Sequence, residues 1–214
     1  MQEKRHITTY RQSLRDRILN TAMALFSTRG VKAVKMDDIA ASLGISKRTL
    51  YEIYENKEVL LFEGVRSHRE NTAAQMRAFA EEADNVMDIV LFIYQLKNRE
   101  FRDTSPLFFE DLQKYPRIEQ YMEQERKQNQ DEFMEFMQRG VSEGYFRADV
   151  NYQLISHLFD ALGEYMREHR LYQEYSSEEL FNNLLFVTLR GFCTQRGVEV
   201  LDQFMKESGT EKRH

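Results

Sequence analysis

Two prolines and nine glycines in 214 residues are too few for a strand-rich plan, where each hairpin needs its own turn chemistry. One cysteine, Cys193, excludes an intrachain disulfide framework and reads as a small buried hydrophobe. No apolar run approaches the roughly 18 residues that span a bilayer. The opening MQEKRHITTYRQ lacks the apolar core of a secretory signal, so a cytoplasmic chain without a membrane partner is expected. There is no HExxH, no paired-cysteine spacing, no phosphate-binding glycine loop and no nucleophile elbow. Neither a cofactor, a metal nor an enzymatic activity is expected.

What remains is a chain of helix formers, long stretches of Glu, Gln, Arg, Leu, Met and Phe free of both breakers. The pattern predicts an all-α fold. Leu14, Ile18, Ala22, Leu25 and Phe26 recur at steps of three and four, which marks an amphipathic helix over about 11–29, with Gly30 as its C-cap and frayed residues before it. A short helix is expected from Met36 or Asp37 to Leu43, its first-turn carboxylates suiting the positive end of the helix dipole. Gly44 ends it, and Ser46 caps a third helix over 47–54. Further helices are predicted over 57–83, from Asp84 through IVLFIYQLKNREF, after Thr104-Ser105-Pro106, over 117–142, 152–169, 177–194 and 198–207, with a polar tail. The expected domains are 1–57 and 58–214.

The net charge of −5 hides a split: eleven Lys/Arg against six Asp/Glu in residues 1–57, nineteen against twenty-nine beyond. A basic head on an acidic body suits local contact with phosphates, because counterion release depends only on the surface that touches the nucleic acid. The stretch MDDIAASLGISKRTLYEIYENKEVLL, residues 36–61, reads as two short helices joined by a glycine-containing turn. Ala40 is small enough to let the helices cross closely, and Ile39, Leu43, Ile45 and Leu50 are spaced to fix the crossing. Lys47, Arg48, Thr49, Tyr51 and Glu52 then point outward, where the third helix enters a major groove and offers donors to bases and phosphates.

These residues resemble the TetR family of regulators, over about 12–62. The lead helix LRDRILNTAMALFSTRG and the tract SKRTLYEIYENKEVL carry the likeness. The resemblance implies an N-terminal three-helix helix-turn-helix domain and a C-terminal helical bundle for dimerisation and ligand sensing. It implies a homodimer, expected to be a repressor, on a near-palindromic double-stranded operator, released by an unknown small-molecule effector. Ser46, Lys47, Arg48 and Thr49 should meet the DNA at the start of the recognition helix, on bases or phosphates; Arg48 is the expected base reader, since its fork fits the two acceptors of guanine. Tyr51 and Lys57 should clamp phosphates, with Glu52 and Tyr54 on the same surface. Lys35 stands where a hydroxyl is usual, and a phosphate ion pair is expected to replace that contact.

The second half carries aromatics and methionines at helical spacing. Most are core, and Phe92, Phe108, Tyr121, Phe133 and Met137 are the candidates for lining an effector pocket. Leu158, Leu162 and Tyr165 on one late helix, with Leu184 and Val187 on the next, hold more apolar surface than one layer buries and are the candidate dimer interface. His157, Asp160, Glu164 and Glu168 share a helical face but read better as a solvated stripe than as metal ligands. Two alternatives stay open: a DNA-binding regulator controlled by a protein partner, and a helical metabolite-binding protein without DNA function.

Overall fold

The computed structural model describes residues 2–210, and no strand occurs among them. The chain runs through α1 (Gln2–Arg29), α2 (Met36–Leu43), α3 (Lys47–Ile53), α4 (Lys57–Glu82), α5 (Val86–Asp103) and α6 (Pro106–Leu112). It continues through α7 (Pro116–Gln128), α8 (Gln130–Ser142), α9 (Tyr152–Glu168), α10 (Leu171–Glu174), α11 (Ser177–Leu180), α12 (Phe186–Phe192) and α13 (Gln195–Thr210). The fold is all-α, with the helix-turn-helix at its N-terminal end. The expected boundaries change most at two places. The residues before Arg11 continue α1 back to Gln2, with no Pro or Gly to stop it. The single helix expected over 117–142 is two, parted at Asn129, which takes φ −83° and ψ 3°. An asparagine side chain competes with the backbone for hydrogen bonds and tolerates such a break. The last four residues of the expected polar tail lie outside the described residues.

The helices group into two compact units, and the division does not fall at residue 57. The first runs to Ala73 and also takes in Asp103–Met122; the second is Ala74–Arg102 with the chain from Glu123 onward. In the first unit, Leu14, Ile18, Ala22 and Phe26 form one buried stripe of α1 against Ile39, Ala40, Leu50, Leu60 and Leu61. Each fully buried large side chain contributes about 1.5 to 3 kcal/mol. α1 stops at Gly30, whose φ of 81° is left-handed. Phe108 and Asp111 of α6 are buried in this unit too, which is why residues 103–122 belong to it. The Asp111 carboxylate accepts the Lys32 backbone N–H at 2.7 Å and the Lys114 ammonium at 2.8 Å. Burial alone would raise the pKa of that carboxyl, but these two donors outweigh it and hold it below the ordinary value.

The second unit closes its own helix ends. The Arg139 guanidinium donates to the carbonyls of Ala80 at 3.0 Å and Ala83 at 2.9 Å, satisfying the end of α4. Glu143 binds the same guanidinium at 2.6 Å and accepts the first N–H of α5, from Val86, at 2.6 Å. Tyr94 is the centre of an aromatic group with Phe181, Phe186 and Phe204, at centroid distances of 5.6, 4.9 and 5.2 Å. Between α11 and α12 the helix widens into a π turn, Phe181–Leu185. Two residues five apart on an α-helix lie about 140° apart. The π turn brings both Phe181 and Phe186 onto Tyr94 despite that spacing.

Candidate nucleic-acid interface

The α2–α3 pair is built outward from its core. Ile39, Ala40 and Leu50 are buried, Leu43 and Ile45 partly so. Gly44 turns the chain with φ 64°, and its N–H closes α2 on the Ala41 carbonyl at 3.1 Å. Ser46 then caps α3: its Oγ accepts the Thr49 N–H at 3.1 Å, and the two hydroxyls lie 2.8 Å apart. Ser46 and Thr49 are thus occupied in starting the helix. With Leu50 turned inward, Lys47, Arg48, Tyr51 and Glu52 face solvent, the Arg48 side chain at 89% exposure and Tyr51 at 49%.

The cations on this face are not bare. Lys47 pairs with Asp37 of α2, a partner that spacing did not suggest because it lies on the other helix. Arg48 donates from Nε to Glu52 Oε1 at 2.9 Å, an i,i+4 pair legible in the sequence. Lys35 is exposed at the entry to α2, where its backbone N–H is taken by the Asp38 carboxylate at 2.8 Å. Lys57 has a structural duty: its ammonium donates to the carbonyls of Val31 at 2.9 Å and Val34 at 3.0 Å. Two of its three donors therefore hold the turn between α1 and α2.

Tyr54 departs from expectation. It is 1% exposed, inside the first unit, and is not part of the outward surface. Its hydroxyl donates to Glu63 Oε1 at 3.0 Å, Arg15 donates to the same carboxylate from Nε at 2.9 Å, and the Arg15 guanidinium lies 4.8 Å from the Tyr54 ring centre. Burial pushes the phenol pKa far up, and the carboxylate beside it pushes the same way. For Glu63, burial alone would raise the pKa, but Arg15 and Tyr54 outweigh it and leave it lowered. This tie joins α1, the end of α3 and α4, and so sets where the recognition helix sits on its own unit. Arg15 and Glu63 were not singled out from sequence; the one available signal was the phenol at the end of a short amphipathic helix.

The five candidate pocket residues divide between the two units. Phe108 and Tyr121 belong to the first unit, Tyr121 edge-on to Phe62 at 5.6 Å. Phe92, Phe133 and Met137 belong to the second, where Phe92 stacks on Phe79 at 4.1 Å, Phe133 meets Phe159 at 6.4 Å and Met137 is core. They complete ring pairs and fill core space. A groove in the second unit has other walls, among them Met134, Val141, Val150 and Tyr152. The candidate interface residues fare differently. Leu158, Tyr165 and Val187 are exposed, Leu162 and Leu184 half-buried, and Leu154 extends the stripe one turn further. Of the carboxylate-histidine face, Asp160 pairs with Arg126 at 3.5 Å, and no cluster able to hold a metal is found among the described residues. Nor is any helix there long and apolar enough to cross a membrane.

An outward helix carrying Lys47, Arg48 and Tyr51, capped by serine and seated on a small apolar crossing, defines a helix-turn-helix DNA-binding protein. Comparison with known proteins narrows the class. Residues 18–63 match the family model for bacterial regulatory proteins of the tetR family. The chain is 26% identical over 193 residues to the HTH-type transcriptional repressor KstR2 of Mycobacterium tuberculosis, covering 87% of this chain and 96% of that one. Among solved structures it is similar to a putative transcriptional regulator from Saccharomonospora viridis in complex with choline (TM-score 0.70, 19% identity, 86% of this chain and 100% of that one). It is also similar to the ketosteroid transcriptional regulator KstR2 of M. tuberculosis (TM-score 0.54, 22% identity, 85% and 95%). The chain is a TetR-type transcriptional regulator, with the family's helix-turn-helix over residues 18–63.

Proposed function

We propose that the protein acts in the cytoplasm as a homodimer whose two α3 helices enter successive major grooves of a near-palindromic operator, repressing where that operator overlaps a promoter. The observation that carries this is the outward face of α3, with Arg48 and Tyr51 exposed over a buried Leu50. Arg48 is the base reader; Tyr51, Lys47 and Lys35 meet phosphates, and Lys57 holds the turn from which they project. The apolar stripe of Leu154, Leu158 and Tyr165, with Val187, supports an isologous pairing of two copies. An effector held by the C-terminal helices releases the DNA. Two neighbours with small-molecule descriptions, a ketosteroid regulator and a choline complex, support such control. By linkage, any such ligand lowers DNA affinity by the factor by which DNA lowers its own.

The test is a gel-shift titration with the DNA upstream of the protein's own operon. Salt-sensitive, sequence-selective binding is expected, lost in the double variant Arg48→Ala, Tyr51→Ala while the dimer stays folded. Absence of selective binding by the wild type would end the proposal. The placement of Phe108 and Met137 in two separate cores favours a second reading, control by a protein partner on the acidic body. A small molecule retained in a native mass spectrum excludes it.

A further inference from the structure

We propose that Glu52 is a positioning residue for DNA reading: its carboxylate holds the Arg48 guanidinium so that the fork presents itself to a single guanine. The proposal rests on the operator reading above and deepens it. Arg48 is 89% exposed, and Glu52 Oε1 at 2.9 Å from Nε is the partner the structure gives its guanidinium. A guanidinium has five N–H donors. With Nε engaged, the two terminal nitrogens keep their paired donors, the arrangement that matches N7 and O6 of guanine. An unheld arginine at this exposure would meet phosphates as readily as a base edge. Glu52 is itself placed. It sits one turn beyond Arg48 on a helix anchored by Leu50, and its backbone carbonyl accepts from Arg11 of α1 at 3.3 Å. Its charge also repels phosphates, which weakens binding to DNA that offers no guanine in register.

Two signatures follow from removing the carboxylate: binding to unrelated DNA should strengthen, while preference for the guanine should fall. A role limited to helix stability would produce neither.

The experiment selects full-length wild type, Glu52→Gln, Glu52→Ala and Arg48→Ala against a randomised duplex library, then titrates each on the enriched duplex with guanine or 7-deazaguanine at the preferred position. Circular dichroism confirms that each variant is folded. The wild type should lose roughly tenfold on the 7-deaza duplex, where N7 is gone and the bidentate contact is reduced to a single bond to O6. Glu52→Ala should reduce that penalty about threefold to tenfold and bind a scrambled duplex more tightly. Glu52→Gln, which keeps the acceptor but not the charge, should fall between. Arg48→Ala should be indifferent to the 7-deaza change. An unchanged 7-deaza penalty in Glu52→Ala overturns the proposal, as does a shift of preference only at a neighbouring cytosine, which would make Glu52 a direct reader. If the wild type enriches no sequence, the operator reading itself fails, and that result is separable from the others.

Discussion

Replacing Glu63 with glutamine probes the tie that seats the recognition helix. In the wild type one carboxylate accepts the Tyr54 hydroxyl at 3.0 Å and Arg15 Nε at 2.9 Å. Glutamine keeps the shape and one acceptor but loses the charge. A hydrogen bond to a charged group contributes about 1.5 to 3 kcal/mol against about 1 for a neutral pair. The Arg15 side chain is 39% exposed, so solvent screens its part of the gain to well under 1 kcal/mol. The expected cost of Glu63→Gln at neutral pH is therefore about 1 to 2 kcal/mol.

The pH dependence gives the sharper test. The folded-state pKa of Glu63 lies below its unfolded value of about 4.3. The stabilisation by the ionised group is fully present above that unfolded value and is lost as pH falls through the folded one. The stability gap between wild type and Glu63→Gln should thus hold steady from pH 7 to about 5 and close below about 4. Because the chain forms two compact units, a global unfolding curve would average over both. Native-state amide exchange on α1, α3 and the start of α4 reads the tie locally. Tyr54→Phe, which removes the other end of the same bond, should be less than additive with Glu63→Gln. A gap that persists into acid, or full additivity of the pair, would refute the reasoning.

Gly30 and Gly44 are both left-handed, but a Cβ at Gly30 would lie 2.9 Å from Leu107 Cβ while one at Gly44 would meet nothing within 4 Å. Alanine at Gly44 should cost about 1 kcal/mol, and at Gly30 about 1 to 3 kcal/mol more, from crowding; equal costs by native-state amide exchange in the first unit would show that α6 yields freely. Leu158→Glu with Val187→Glu puts charges on the exposed apolar stripe and should shift sedimentation from dimer to monomer without loss of helix content; a dimer that survives both changes places the interface elsewhere. Burial pushes the Cys193 thiol up to about 11, so at pH 8 it should stay protonated and alkylate only as the second unit opens. Labelling at the rate of a free thiol would contradict its burial.

The recognition unit was legible because its signals are local. Leu14, Ile18, Ala22 and Phe26 repeat at one helical step, Gly44 and Ser46 punctuate α2 and α3, and Leu50 marks the inner face. What was not legible depends on partners far along the chain. Lys57 reads as a phosphate clamp until its ammonium is found on the carbonyls of Val31 and Val34, backbone groups that leave no trace in residue type. The chain boundary moved for the same reason. Asp111, 79 residues from Lys32, fills its carboxylate with that residue's N–H and so brings α6 into the first unit.

Tyr54 shows the limit most clearly. An aromatic with a hydroxyl at the end of a recognition helix has an apolar body and a polar tip, so exposed and buried placements both satisfy its side chain. What decides between them is whether a buried acceptor exists for the hydroxyl, and that acceptor, Glu63, lies nine residues on in α4. Glu63 in turn tolerates partial burial only because Arg15, 48 residues earlier, lies against it. Each member reads as an ordinary surface residue by itself. Only together do they make a core position, so a rule that scores residues one at a time sends Tyr54 outward to the DNA.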